Sequence, residues 1–157
     1  MIEGNPDSND SLASKKQQGG FSMALVIWND NFSVQVAEID KQHQKLIAII
    51  NELDDAIKAN HSNEALGQVL AELLDYTKTH FAYEENLLSS NSYPMFEPHK
   101  AEHDALAEKV VFMGDIFAKG QSIDSGQLMN FLKFWIEEHI LEIDKKYSAH
   151  LNSKGVH

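Results

Sequence analysis

Seven residues at short, repeated offsets carry the chemistry legible in this chain: His43, His80 with Glu84, His99 with His103, and His139 with Asp144. The last six fall into the segments HFAYE, HKAEH and HILEID. All of them sit on stripes that are otherwise apolar. A buried imidazolium or carboxylate without a partner is costly, so such groups shift their pKa, pair with one another or bind an ion. One histidine on an apolar face is more often a hydrogen-bonded core residue than a ligand, and a single i, i+4 pair is only suggestive. Five histidines and two carboxylates at one depth are not explained that way, because buried polar groups need partners. Imidazole combined with carboxylate suits iron, zinc, copper or nickel, whereas carboxylate alone suits magnesium or manganese. The set is too large for one tetrahedral zinc. It serves two ions if both carboxylates bridge. Three imidazoles, two carboxylate oxygens and a solvent-derived bridge then complete six positions on one ion. Two imidazoles leave the other five-coordinate, with a place for a small external ligand.

These side chains need elements that bring them together. The apolar residues recur at i, i+3, i+4 and i+7 through four segments, which predicts four helices. The first spans about 40–60, with Ile47, Ile50, Leu53 and Ile57 on one stripe. The second spans 63–88, capped by Ser62 and carrying Leu66, Leu70, Leu73 and Leu87 inside. The third starts near Pro98 and stops at Lys119-Gly120. The fourth spans 125–151, capped by Asp124 or Ser125, with Leu132, Trp135, Ile136 and Ile143 in its stripe. Short connections favour antiparallel neighbours. The expected fold is all-α, an up-down-up-down four-helix bundle with a non-helical N-terminal arm over 24–38 anchored by Trp28 and Phe32.

That topology makes the chemistry coherent. The start of the first helix, the end of the second, the start of the third and the later part of the fourth share one end of the bundle, so all seven side chains reach one layer. Residues four apart on an α-helix differ by about 40° in direction, so His80 and Glu84 point together, as do His99 and His103. The offset of five between His139 and Asp144 rotates about 140° on the same geometry. A local π-type turn, or a carboxylate reaching sideways between helices, reconciles it. His61, in an interhelical loop, and His150 and His157, near the C-terminus, fall outside the layer and read as solvated.

Composition narrows the partners. The chain has 157 residues, 43% of them hydrophobic, and a formal charge of −11. One domain with a full core fits that length. The acidic balance argues against nucleic acid and anionic membranes. With no cysteine, disulfides, thiolate zinc and iron–sulfur clusters are out. No stretch approaches the roughly 18 apolar residues of a membrane span, so a cytoplasmic location is expected. Residues 1–22 are polar and aperiodic and read as a disordered leader or a tag remnant, with the domain running over 23–157.

The segments IDKQHQKL around His43, HFAYEENLL around His80, HKAEH around His99, and WIEEHILEID ending at Asp144 resemble the hemerythrin family, specifically its bacterial members. The resemblance spans about 28–147. It implies two iron ions per chain with an oxo or hydroxo bridge. His99, His103 and His139 would bind the saturated iron, and His43 and His80 the iron with the open position. Glu84 and Asp144 would bridge. Dioxygen would bind reversibly at the open iron as a hydroperoxide, with no protein acid or base required, so no catalytic residue is expected.

The surroundings agree with that expectation. Ile39, Leu46, Phe81, Trp135 and Ile136 flank the ligands and could form a dry oxygen pocket, although ordinary core packing would place them similarly. Water kept out of such a pocket cannot promote loss of peroxide. The leading expectation is an oxygen carrier, store or supplier, monomeric, with small anions such as azide as further ligands. The alternatives are oxygen, redox or nitric oxide sensing through a separate partner, or a di-iron enzyme consuming peroxide or nitric oxide.

Overall fold

Four antiparallel helical rods, preceded by a short arm, make up the computed structural model, which describes residues 23–60 and 63–157. The expected leader over 1–22, the Ser62 cap and His61 lie outside the described residues. Helix α1 is Ala37–Lys58, α2 Asn63–Ser90 and α3 Phe96–Ala118. The fourth rod is continuous but changes character: α4 is Ser125–Phe134, a π-helical segment covers Trp135–Asp144, and α5 is Lys145–Ser153. Among the described residues there is no strand. α2 packs against both α1 and α3, and α1 also packs against α4.

The ends of these helices follow local chemistry. Asp124 caps α4, its carboxylate accepting from the Gly126 and Gln127 amides at 2.8 and 3.2 Å. Gly120, at φ +73°, ends α3: its N–H bonds the Phe117 carbonyl, and the Gln121 N–H reaches back to Ile116. Only a residue tolerant of the left-handed region closes a helix this way. The first helix begins three residues earlier than expected and the third two residues earlier. In α1 the reason is Asp40, whose carboxylate accepts from the Val34 amide at 2.7 Å and from the Ser33 hydroxyl, tying arm to helix.

The arm differs from expectation in two ways. It contains a one-turn 3₁₀ helix over Asp30–Phe32, and its deepest anchors are Val34 and Val36. Trp28 and Phe32 are half-buried and pack on each other with ring centroids 5.8 Å apart. Ile57, expected in the core stripe of α1, is exposed because it lies in the last turn, at the end of the bundle away from His43.

The core forms two apolar clusters. The larger includes Leu46, Ile50, Leu70, Leu73, Tyr76, Phe81, Leu106, Val110, Leu132, Trp135 and Ile136. The smaller gathers Val34, Val36, Ile39, Leu88, Tyr93, Tyr147 and Leu151. Full burial of one aliphatic side chain contributes roughly 1.5–3 kcal/mol. The two clusters hold α1, α2 and the fourth rod on either side of a polar layer.

Candidate metal centre

That polar layer consists of His43, His80, Glu84, His99, His103, His139 and Asp144, each no more than 3% exposed. His43 comes from α1, His80 and Glu84 from α2, His99 and His103 from α3, and His139 and Asp144 from the π segment. The π segment resolves the awkward offset of five. With i→i+5 hydrogen bonding, residues five apart stack on one face, so His139 and Asp144 both turn inward.

The two carboxylates divide the layer. Glu84 Oε1 lies 2.5 Å from His99 Nε2 and 3.4 Å from His103 Nε2, while its Oε2 lies 3.6 Å from His80 Nε2. Asp144 Oδ1 lies 3.2 Å from His139 Nε2 and 3.6 Å from His99 Nε2, while its Oδ2 lies 3.3 Å from His43 Nε2. Each carboxylate therefore presents one oxygen to a three-histidine group and the other to a two-histidine group. The ligand atoms within each of the groups Glu84–His99–His103–His139–Asp144 and His43–His80–Glu84–Asp144 lie within 4.8 Å of one another.

The donor set fits cations. His43 Nε2, His80 Nε2, His139 Nε2 and both Asp144 oxygens are buried without a hydrogen-bond partner in the chain. Left bare, such atoms would carry the full cost of desolvation. Burial pushes the His43 imidazole down to about 4, His80 to about 3 and His139 to about 2. All three are therefore neutral near pH 7 and keep the lone pair a metal needs. Burial works to raise the Glu84 carboxyl, but hydrogen bonds from His103 and His99 outweigh it and hold it well below the usual range. Burial and the Glu84 charge push Asp144 well above the usual range. Two carboxylates this close ionise together only beside positive charge, which metal ions supply.

Several residues behind the ligands were not legible as functional in the sequence. Gln42 Oε1 accepts from His80 Nδ1 at 2.8 Å, and Glu85 Oε1 from His103 Nδ1 at 3.0 Å. Each bond is made through Nδ1 and leaves Nε2 facing the layer. Tyr147 donates to Glu84 Oε2 at 2.9 Å. Gln42 and Glu85 adjoin ligands in sequence, on the polar flanks of their helices, where a side chain ordinarily reads as solvated. Tyr147 follows Asp144 by three residues, a spacing whose meaning depends on the helix type between them.

Around the layer, Phe81 stacks on His103 with centroids 3.8 Å apart, and Trp135 packs against Phe81 at 5.2 Å. Leu46, Phe81, Trp135 and Ile136 share the larger cluster, whereas Ile39 packs in the smaller one with Tyr147. His150 is not a solvated residue: it is half-buried, with Nε2 2.8 Å from the Asn91 carbonyl. Its partner lies in the α2–α3 connection, which the sequence did not place beside α5.

Comparison with known proteins bears on the same residues. The model of the hemerythrin HHE cation-binding domain matches residues 34–151, a span containing all seven. The chain is 35% identical over 134 residues to a bacteriohemerythrin of Stenotrophomonas maltophilia, covering 83% of this chain and 86% of that protein. It is 31% identical over 132 residues to a bacteriohemerythrin of Methylococcus capsulatus, covering 83% and 100%. The fold superposes on a crystal structure of wild-type hemerythrin with a TM-score of 0.75 at 31% identity, over 82% of this chain and 98% of that one. A four-helix bundle with this ligand layer and these relatives belongs to the hemerythrin family.

Proposed function

We propose that this protein binds dioxygen reversibly at a non-haem di-iron centre and serves as an oxygen carrier, store or supplier. The observation that carries the reading is the division of each carboxylate between a three-histidine and a two-histidine group. Two ions sharing Glu84 and Asp144 would receive unequal numbers of imidazoles, and the poorer side, at His43 and His80, keeps a position for an external ligand. Iron held there supplies a one-electron couple at each ion, which suits uptake and release of dioxygen without a protein acid or base.

The chain's own residues prepare that chemistry. Gln42 and Glu85 fix two imidazole tautomers, and Tyr147 steadies one bridging carboxylate. Leu46, Phe81, Trp135 and Ile136, all buried, exclude bulk water from the inward side of the layer. Anaerobic iron loading, iron analysis and optical spectra through repeated oxygenation and deoxygenation test the reading. Two irons per chain and a spectral change that reverses on removing oxygen are expected. One metal per chain, preference for zinc under iron-replete expression, or steady consumption of peroxide or nitric oxide without a reversible spectrum would overturn it.

A further inference from the structure

The apolar wall beside His80 carries two polar atoms with no hydrogen-bond partner in the chain. Tyr76 and Trp135 are 1% and 0% exposed, and the Tyr76 hydroxyl and Trp135 Nε1 are both unpartnered. Their rings are neighbours, with centroids 6.0 Å apart. Tyr76 lies one turn before His80 on α2, and its ring stacks on that imidazole at 5.0 Å with an interplanar angle of 16°. Two other hydroxyls at this depth are satisfied within the chain. Thr77 donates to the Leu73 carbonyl at 2.7 Å, and Tyr147 to Glu84 Oε2 at 2.9 Å. Buried hydroxyl and indole N–H groups are nearly always bonded, so two unpartnered ones on neighbouring rings call for a partner from outside the chain.

The chemistry of the pair defines that guest. An indole N–H can only donate. A phenol keeps its proton at neutral pH, so the Tyr76 hydroxyl can donate as well. A water molecule would need acceptors for its own protons, whereas an anion uses both donors and needs none. We propose that the Tyr76 hydroxyl and the Trp135 indole N–H form a donor pair that hydrogen-bonds a small anion of azide or nitrite size held on the His43–His80 side of the centre. The proposal rests on the di-iron reading above. It makes the pocket selective by hydrogen bonding as well as by size.

Azide is the probe, titrated into the iron-loaded, oxidised full chain and followed by its optical band. Tyr76→Phe removes one oxygen atom from the wall and keeps the ring that stacks on His80. Azide affinity should fall about tenfold, the loss of one hydrogen bond to a charged group, with iron content and melting temperature held. The infrared stretch of bound azide should shift between H₂O and D₂O in the wild type, and the shift should shrink in Tyr76→Phe. Unchanged affinity and an unchanged isotope shift would overturn the proposal, because the donors would then hold only water. If Tyr76→Phe loses iron, Trp135→Phe carries the same comparison, and a wild type with no isotope shift overturns the proposal without any variant. A wild type that loads no iron pair removes the di-iron reading, and this proposal with it. A wild type that loads iron and oxygenates reversibly, yet binds azide without these signatures, removes this proposal alone.

Discussion

Glu84 and Asp144 each place one oxygen on either side of the layer, so losing either removes a donor from both histidine groups at once. Glu84→Ala and Asp144→Ala should therefore abolish stable loading of two irons, read as metal per chain after reconstitution and desalting. His150→Ala should leave that ratio unchanged, because its ring bonds the Asn91 carbonyl outside the layer. Retention of two irons by either carboxylate variant would show that bridging is not what holds the pair. Ile136, 4% exposed and three residues before His139, tests the pocket. Ile136→Ala should cost roughly 2–5 kcal/mol of stability through the cavity it leaves. It should also shorten the lifetime of the oxygenated form several-fold as water enters. Destabilisation with an unchanged lifetime would assign Ile136 to packing alone.

The element that decides the centre is the π segment Trp135–Asp144. It supplies two of the seven layer residues, five apart, and in an uninterrupted α-helix one of them would turn away by about 140°. A wider helix is usually unfavourable, and such segments mark functional sites where other interactions compensate. Here the compensation is burial of Trp135, Ile136 and Ile140 together with the inward Asp144. Deleting the exposed Glu142 should let the rod return to α geometry with an offset of four, which keeps both side chains on one face. Circular dichroism should show helix retained, and iron per chain should stay near the wild-type ratio. A deletion variant that folds but loads no iron would mean that the π geometry itself, and not only the shared face, is needed to position Asp144.

At the scale of the whole molecule, a charged layer interrupts an otherwise apolar interior. It lies between the cluster around Leu73 and Trp135 and the cluster around Ile39 and Leu151. Without metal, burial holds three imidazoles neutral and leaves several ligand atoms unpartnered. A ligand that binds only the native state stabilises it by mass action. Removing iron with a chelator should therefore lower the melting temperature by several degrees or more, with much of the helix retained, since two apolar clusters remain. Calorimetry of apo and loaded protein checks this, and superimposable transitions would contradict it.

The seven residues of the layer and the bundle were legible in the sequence because both rest on periodicity. Four apolar stripes announce four helices, short connections make them antiparallel, and the pairs His80–Glu84 and His99–His103 then share a face. Even the difficulty at His139 and Asp144 was visible, since an offset of five breaks the α rule. Which remedy the chain adopts was not visible: a π segment is stabilised by what packs around it, not by local propensity. The start of α1 was misjudged for a related reason, because the Val34 amide and the Ser33 hydroxyl meet the Asp40 carboxylate only once the arm folds back onto the helix. Gln42 and Glu85 stand on helix flanks, and only neighbouring helices turn those flanks toward His80 and His103. Tyr76 and Trp135 read as core from their spacing, and so they are. That their polar atoms remain unpartnered there is a property of the assembled interior, because hydrogen-bond satisfaction depends on the atoms that folding brings opposite each side chain.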